Sequence, residues 1–247
     1  MKGSITMKKK ILALVLCVAM LAIAVVGGTM AYFTDADKDT NVMVTGNVKI
    51  VQNEKMSDGS AYVDGQKLVP AVYGPNGLVD PTNGDYHTDD TVKNVLDKFI
   101  TVTNEGSEAA YIRTIVLIEN NGSEYASKLH ILYNNDGIAV WQAKGEMDPD
   151  GDGTNSWYDI FTFTYAAPLA KDATSAPSLK QVWLDPTATN EIAAGLVGTD
   201  GELDIYALSQ AVQVDGFADA ATALNAAFGE LTETNVSAWF AAAGDDT

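Results

Sequence analysis

Apolar residues along much of this chain recur at every second position, and clusters of Gly, Asn, Asp and Pro separate the stretches that do so. Val42, Val44, Val48 and Ile50 share one parity, with Gly46 placed where a bulge or a close backbone approach would fit. Residues 52–97 are rich in turn formers (Ser57-Asp58-Gly59, Tyr73-Gly74-Pro75-Asn76-Gly77, Asp80-Pro81-Thr82-Asn83-Gly84), so the pattern predicts a loop-rich excursion with one short strand near Leu68 to Tyr73. Ile100 and Val102 then alternate with Thr101 and Thr103 up to a turn at Asn104-Glu105-Gly106-Ser107. Tyr111 to Ile118 is apolar on both parities, which predicts a central strand covered on both faces. Leu129 to Tyr133 predicts a further strand, and Ile138 to Gln142 its partner across the turn Asn134-Asn135-Asp136-Gly137. Phe161, Phe163 and Tyr165 alternate with threonines, the signature of a sheet with one buried face, and Val182 to Leu184 predicts a strand stopped by Asp185-Pro186.

Near the C-terminal end the period changes. Leu203 to Val214 is compatible with strand or helix, strand being preferred for its first half. Phe217, Ala220, Ala221, Leu224 and Phe228 fall on one stripe of a 3.6-residue period, which predicts an amphipathic helix, and Val236 to Ala242 a second one anchored by Trp239 and Phe240. Short strands between turn clusters, with helix only at the end, predict a mainly β chain. The expected architecture is an antiparallel β-sandwich, jelly-roll-like, with one or two short C-terminal helices.

The beginning of the chain has neither period. Lys2 and Lys8-Lys9-Lys10 precede an unbroken apolar run, Ile11 to Val26, and Gly27-Gly28-Thr29-Met30-Ala31 closes it with small residues. This is the make-up of a secretory signal peptide, with the cut expected between Ala31 and Tyr32. The alternative is an uncleaved anchor, because about 20 apolar residues span a bilayer. The organisation predicted is therefore a signal peptide at 1–31, an N-terminal arm at 32–52, the excursion at 53–97 and a sandwich core at 98–247. Cys17, the lone cysteine, lies inside the apolar run, so the mature chain would have no disulfide, no thiolate-held metal and no cysteine nucleophile.

Charge narrows the partners. The chain carries 15 basic and 33 acidic residues, a formal −18. Four of the lysines and none of the acids precede Ala31, leaving 11 against 33, a formal −22, after the cut. Such a surface repels phosphate backbones and anionic lipid heads, which excludes nucleic acid as a partner and leaves the membrane only to an uncleaved leader.

Several stretches resemble the TasA/camelysin-type family of exported Gram-positive proteins. They are the lysine cluster with its apolar run closing in Gly27-Gly28-Thr29, the Ala31-Tyr32-Phe33-Thr34-Asp35 junction, and Thr45-Gly46-Asn47-Val48 before a strand. Ile100 to Ser107 followed by Ala110-Tyr111-Ile112-Arg113 is similar to a further stretch of that family, as is Ala211 to Phe217. The resemblance implies a jelly-roll-like domain, processed by a dedicated signal peptidase and secreted to the cell surface or the extracellular matrix of a biofilm. It also implies fibres in which the N-terminal segment of one subunit completes the sheet of the next. Tyr32 to Gln52 would be that donor, with Val42, Val44, Val48 and Ile50 as its anchors. Pairing of the same strand within its own domain is the alternative.

One local motif bears on chemistry. Asp148, Asp150 and Asp152, with Gly153 after them, occupy positions 1, 3, 5 and 6 of an EF-hand-like loop, and Asp159 falls at position 12. Oxygen ligands at that spacing make the four aspartates candidate Ca²⁺ ligands, although Pro149 and an Asp where Glu is usual depart from the pattern and no flanking helices are expected. No cofactor is required by anything else in the chain. A metalloprotease, as some relatives are described, would need a zinc site, yet His87 and His130 are the only histidines and neither has a partner four residues away. A Gly-x-Ser-x-Gly elbow is absent. Tyr111, Tyr125, Tyr133, Trp141, Trp157 and Trp183 would serve a glycan-binding face if the fold aligned them. The expected function is therefore non-enzymatic: a secreted fibre or matrix subunit whose partners are itself or other matrix proteins. A carbohydrate- or adhesion-type binding module is the alternative, and a camelysin-like protease the third reading.

Overall fold

A computed structural model of the chain describes residues 34–37, 48–73, 92–121, 124–196 and 203–244. Among the described residues ten strands and three α-helices are formed: β1 (Thr34–Asp37), β2 (Ile50–Lys55), β3 (Leu96–Asp97), β4 (Phe99–Asn104), β5 (Ala110–Glu119), β6 (Leu129–Tyr133), β7 (Ile138–Met147), β8 (Ser156–Tyr165) and β9 (Leu179–Leu184), then α1 (Asn190–Leu196), β10 (Ile205–Gln213), α2 (Ala220–Phe228) and α3 (Glu233–Gly244). The protein is mainly β, with antiparallel sheets and its longer helices at the C-terminal end. One layer is a five-stranded sheet in the order β1-β10-β5-β8-β7. The facing layer is built from β3-β9-β6 and from β2-β4, joined by backbone hydrogen bonds such as Ser178 N–H to Ile100 O at 2.9 Å.

The main core lies between these layers. Val48, Ile50, Ile100, Val102, Leu179 and Val182 from one side meet Ile112, Val116, Ile118, Phe163 and Ala211 from the other. On the far face of the five-stranded sheet α3 buries Val236 and Phe240 against Ile115, Leu117, Ile160 and Leu208, and α2 buries Ala223 and Leu224 against Tyr111 and Val212. All ten residues of β5 are buried. Its lack of alternation thus has a simple cause: one face is covered by the second layer and the other by helices.

A patch of polar groups interrupts the main core. Thr114 Oγ1 and Ser209 Oγ lie 3.1 Å apart, Ser209 Oγ donates to Gln52 Oε1 at 2.7 Å, and Gln52 Nε2 donates to Ala207 O at 3.2 Å. Because these groups are buried, only one register of β2 against β10 satisfies them.

Two sequence expectations change. The predicted hairpin of β6 with β7 is absent: β6 pairs with β9 and β7 pairs with β8. At Asn134–Gly137 the chain crosses between layers, Asn134 N–H bonding Ser178 O and Gly137 O accepting from Ala166 N–H, with Gly137 at φ +66°. The turn formers are therefore used for a crossover, and β7 runs on to Met147 because its true partner is ten residues long. Leu68 to Tyr73 forms no strand, only single bridges of Pro70 to Leu184 and Val72 to Lys93. Leu203 to Val214 resolves to strand along nearly its whole length, since β10 is held by β5 over nine residue pairs.

Candidate functional site: the aspartate loop and the N-terminal strand

Met147 pairs with Ser156, so residues 148–155 are the loop of the β7–β8 hairpin. Asp148 organises it. Its Oδ1 accepts from Gly151 N–H at 2.8 Å and Asp152 N–H at 3.1 Å, and its Oδ2 from Gly153 N–H at 2.9 Å. Asp150 Oδ1 accepts from Asp152 N–H at 3.2 Å, and Asp152 Oδ1 from Thr154 N–H at 2.6 Å. Gly151 and Gly153 sit at φ +76° and +89°, a region that a β-carbon disfavours, so the two glycines permit the coil that brings these donors round. Desolvation opposes ionisation of Asp148, but hydrogen bonding with Asp150 and with the Gly153, Gly151 and Asp152 amides outweighs it and holds the carboxyl below its ordinary value.

Asp148, Asp150 and Asp152 each offer an oxygen within 4.8 Å of the others, a spacing that one hard cation spans. The fourth aspartate of the sequence motif does not join them. Asp159 lies inside β8, where it pairs with Lys144 at 2.9 Å across the sheet. In an EF-hand the closing acid returns to the ion because a helix follows the loop; here a strand begins at Ser156 and carries position 12 away at about 3.3 Å per residue. Instead, Tyr206 Oη lies 3.3 Å from Asp150 Oδ2 and 3.3 Å from Asp204 Oδ2. Burial and the charges of Asp204 and Asp150 push the Tyr206 hydroxyl pKa well up, and burial together with Glu119, Asp204 and Asp150 does the same to Tyr158, so both remain protonated donors beside the acids. Tyr206 and Asp204 are the neighbours that sequence spacing missed, because only sheet pairing brings β10 beside this loop.

Three carboxylates without a bidentate closing acid leave most of a Ca²⁺ shell to carbonyls and water. The expected affinity is that of weak extracellular sites, a dissociation constant of about 10⁻⁴–10⁻³ M. In a Ca²⁺ titration followed by NMR, Asp150→Asn should weaken binding at least about five-fold and Asp159→Asn should leave it unchanged. Equal losses in both variants would restore the twelve-residue loop and refute the three-aspartate site.

The other sequence-predicted residues are placed as follows. Ala31, Tyr32, Val42, Val44 and His87 lie outside the described residues. Val48 and Ile50 are fully buried in the chain's own core, and β2 pairs with β4 over six residues. The predicted donor anchors at these two positions therefore face inward within one subunit. Ahead of them, β1 lies antiparallel on the edge of β10, Thr34 opposite Val212 and Asp37 opposite Ser209. The Glu119 N–H to Asp204 O bond phases the β5–β10 ladder, so Ala207, Ser209 and Ala211 turn their backbone groups toward the opposite edge. The Gln52 amide caps Ala207 O. Asp37 and Asp35, opposite Ser209 and Ala211, are then the residues of β1 in register to form ladder bonds.

The remaining candidates do not converge. His130 stacks on Trp183 with ring centroids 5.5 Å apart and bonds Asp185 at 3.2 Å. Hydrogen bonds from the Thr187 side chain and amide, then from His130, hold the Asp185 carboxyl far below its usual range, and no metal-ligating group of three forms at this histidine among the described residues. Tyr111 and Trp183 are buried on different layers while Trp157 is exposed, so these three aromatics share no face. Among the described residues no helix is long and apolar enough to cross a membrane. Comparison of the chain with protein-family models, with curated proteins and with solved structures found no match.

Proposed function

We propose that this chain is a secreted structural subunit of the extracellular matrix or cell surface, processed between Ala31 and Tyr32 and assembling with further copies of itself through its N-terminal strand. The observation that carries this reading is the occupancy of the β10 edge. That edge belongs to a sheet buried on both faces, yet it is closed by four residues, Thr-Asp-Ala-Asp, that begin three residues after the expected cut. Asp is a poor strand former, and the two residues in register can supply at most four ladder bonds of about 1 kcal/mol each. Such a strand exchanges with an identical one from a neighbour at little net cost, because the bonds lost in one subunit are regained in the next. The donor is thereby narrowed from Tyr32–Gln52 to the part ahead of Val48, since β2 is locked to its own subunit by Ile50 and by the Gln52 amide. The resemblance of the leader and of Ala31 to Asp35 to TasA/camelysin-type proteins points the same way. Bound Ca²⁺ at the aspartate loop would lower the mutual repulsion of subunits carrying so many acids.

The test is negative-stain microscopy and sedimentation of the chain from Tyr32 onward, with and without millimolar Ca²⁺, beside a chain from Lys38 onward. Filaments in the first that are lost in the second are expected. Monodisperse particles from the longer chain in every condition would refute assembly by this strand.

A further inference from the structure

At the end of the five-stranded sheet away from β1, the outer strand is β7. Gly137 O accepts from Ala166 N–H, which phases the β7–β8 ladder: Ala139, Trp141, Ala143 and Gly145 turn their backbone groups to β8. Val140, Gln142, Lys144 and Glu146 therefore turn theirs outward, and among the described residues no further backbone group pairs with them. The other outer strands are short or capped. β1 has four residues, β3 two, and β6 five with a shift of register after Leu132, while β2 is bridged by Ala61 at Lys55. By contrast β7 has ten residues, no proline and an unbroken register with β8. A lysine on an edge commonly blocks added strands, but the Lys144 ammonium is drawn back onto β8 by Asp159 at 2.9 Å. A long, regular row of open amides and carbonyls is thus left ready to take another strand.

Self-complementarity selects the occupant. An antiparallel copy of β7 about a twofold axis at Gln142 sets every outward residue against another outward residue, as a ladder requires. Val140 then faces the partner's Lys144, Ile138 the partner's Glu146, and Gln142 the partner's Gln142, so no like charges are opposed. On the helix-covered face Trp141 faces the partner's Ala143, a large ring against a small residue. Gly145 faces the partner's Ala139, which suits a crowded spot: a β-carbon at Gly145 would lie 3.8 Å from Glu233 Cβ of α3. Neighbouring registers are worse. An axis one residue earlier sets Glu146 against the partner's Asp136, and one residue later presses the partner's Trp141 onto Gly145 beside α3. An axis at Lys144 opposes two lysines. Within the strand Lys144 and Glu146 cancel, so pairing two copies of β7 adds no net charge at the seam of a strongly acidic chain. We propose that β7 pairs with β7 of a second copy about a twofold axis at Gln142, joining two five-stranded sheets into one. A single strand pair is small beside the about 1,200–2,000 Å² of stable interfaces, so the contact is weak and tells at high protein concentration. This goes beyond assembly through β1, which uses the opposite edge, and does not depend on it.

The experiment uses the chain from Tyr32 onward, which contains every described residue and no cysteine. Single cysteines are placed by Gln142→Cys and Glu146→Cys, both at exposed positions. The twofold brings position 142 against its own copy, where Cα atoms of a hydrogen-bonded pair lie about 5.5 Å apart, within disulfide reach. Position 146 faces the partner's Ile138 instead. Under mild oxidation at about 100 µM, Gln142→Cys should yield at least about five-fold more disulfide-linked dimer than Glu146→Cys. Adding Val140→Pro, which removes an outward N–H and none from the β7–β8 ladder, should abolish that dimer. In the unmodified chain, amide exchange at Val140, Gln142 and Lys144 should slow as protein concentration rises. Equal cross-linking at the two positions, or none at 142, would overturn the proposal, and so would exchange independent of concentration. Preferential cross-linking of Gln142→Cys to Asp35→Cys in a mixture would give the edge to an exchanged β1 and overturn the twofold. Filament formation is read separately, so failure here leaves the β1 reading standing.

Discussion

Arg113→Ala is expected to destabilise the fold by at least about 3 kcal/mol, read as a shift of the urea midpoint together with a changed Trp239 emission. Arg113 is 1% exposed in the middle of β5, on the face covered by helices. Burial lowers its guanidinium pKa to about 10, and no described carboxylate pairs with it, although the chain has 33 acids. Neutral groups hold it instead. Nε donates to Gln210 Oε1 at 2.5 Å, one terminal nitrogen to Asn225 Oδ1 at 3.2 Å, and the other to Gly229 O at 3.5 Å. The guanidinium carbon also lies 4.4 Å from the Trp239 ring centroid and 5.7 Å from that of Phe228. One side chain thus ties β5, β10, α2, the α2–α3 turn and α3 together. Truncation would strand the buried Gln210 oxygen, at about 1–3 kcal/mol if left unpaired, take a donor from the part-buried Asn225 and Gly229 oxygens, and remove a cation–π contact of up to about 2 kcal/mol. Arg113→Lys should recover less than half of the loss, because an ammonium cannot reach three separated acceptors from a planar fork. Full stability of the alanine variant would mean that water replaces the guanidinium and that the site does not fasten the helices.

Phe240→Ala should cost about 3–5 kcal/mol, which for a chain of this size lowers the melting temperature by about 10 °C. Phe240 is fully buried where α3 crosses the five-stranded sheet, against a cluster that includes Ile115, Ile160 and Leu208. The helix makes few other attachments to that sheet. Trp239, one residue earlier, donates its indole N–H to Phe228 O at 3.1 Å, and Val236 shares the buried stripe. Hydrogen exchange distinguishes two ways of failing. Faster exchange confined to 233–244 would mean that α3 opens by itself, whereas a uniform loss of protection would mean that the sheet needs its cover. A loss below about 1 kcal/mol would refute the assignment of α3 as part of the core.

Both predictions concern residues that a linear reading treats unequally. Phe240 was legible as a helical anchor, because a 3.6-residue stripe has one burial solution. Arg113 was not, because its partners lie 97 to 116 positions away in sequence and none is acidic. The aspartate loop shows the same division. Asp148, Asp150 and Asp152 were legible because their contacts are local. The exclusion of Asp159 and the approach of Tyr206 and Asp204 were not, because they depend on how β8 leaves the hairpin and on which strand lies beside it.

Taken alone, the amino-acid order determined where the chain alternates, where it turns, which stretch is apolar on both parities and where helix replaces strand; these follow from side-chain direction and backbone preference over a few residues. Tertiary structure decided partnership. The turn after Tyr133 serves a hairpin or a crossover equally well, and the choice was made by the match of β7 to β8 and of β6 to β9. Val48 and Ile50 alternate equally well for export to a neighbour or for burial at home, and the choice was made by β4 and by the Gln52 amide reaching β10. Periodicity is a property of one segment, whereas pairing is a difference in free energy between segments distant in the chain, and only the assembled layers supply the second term.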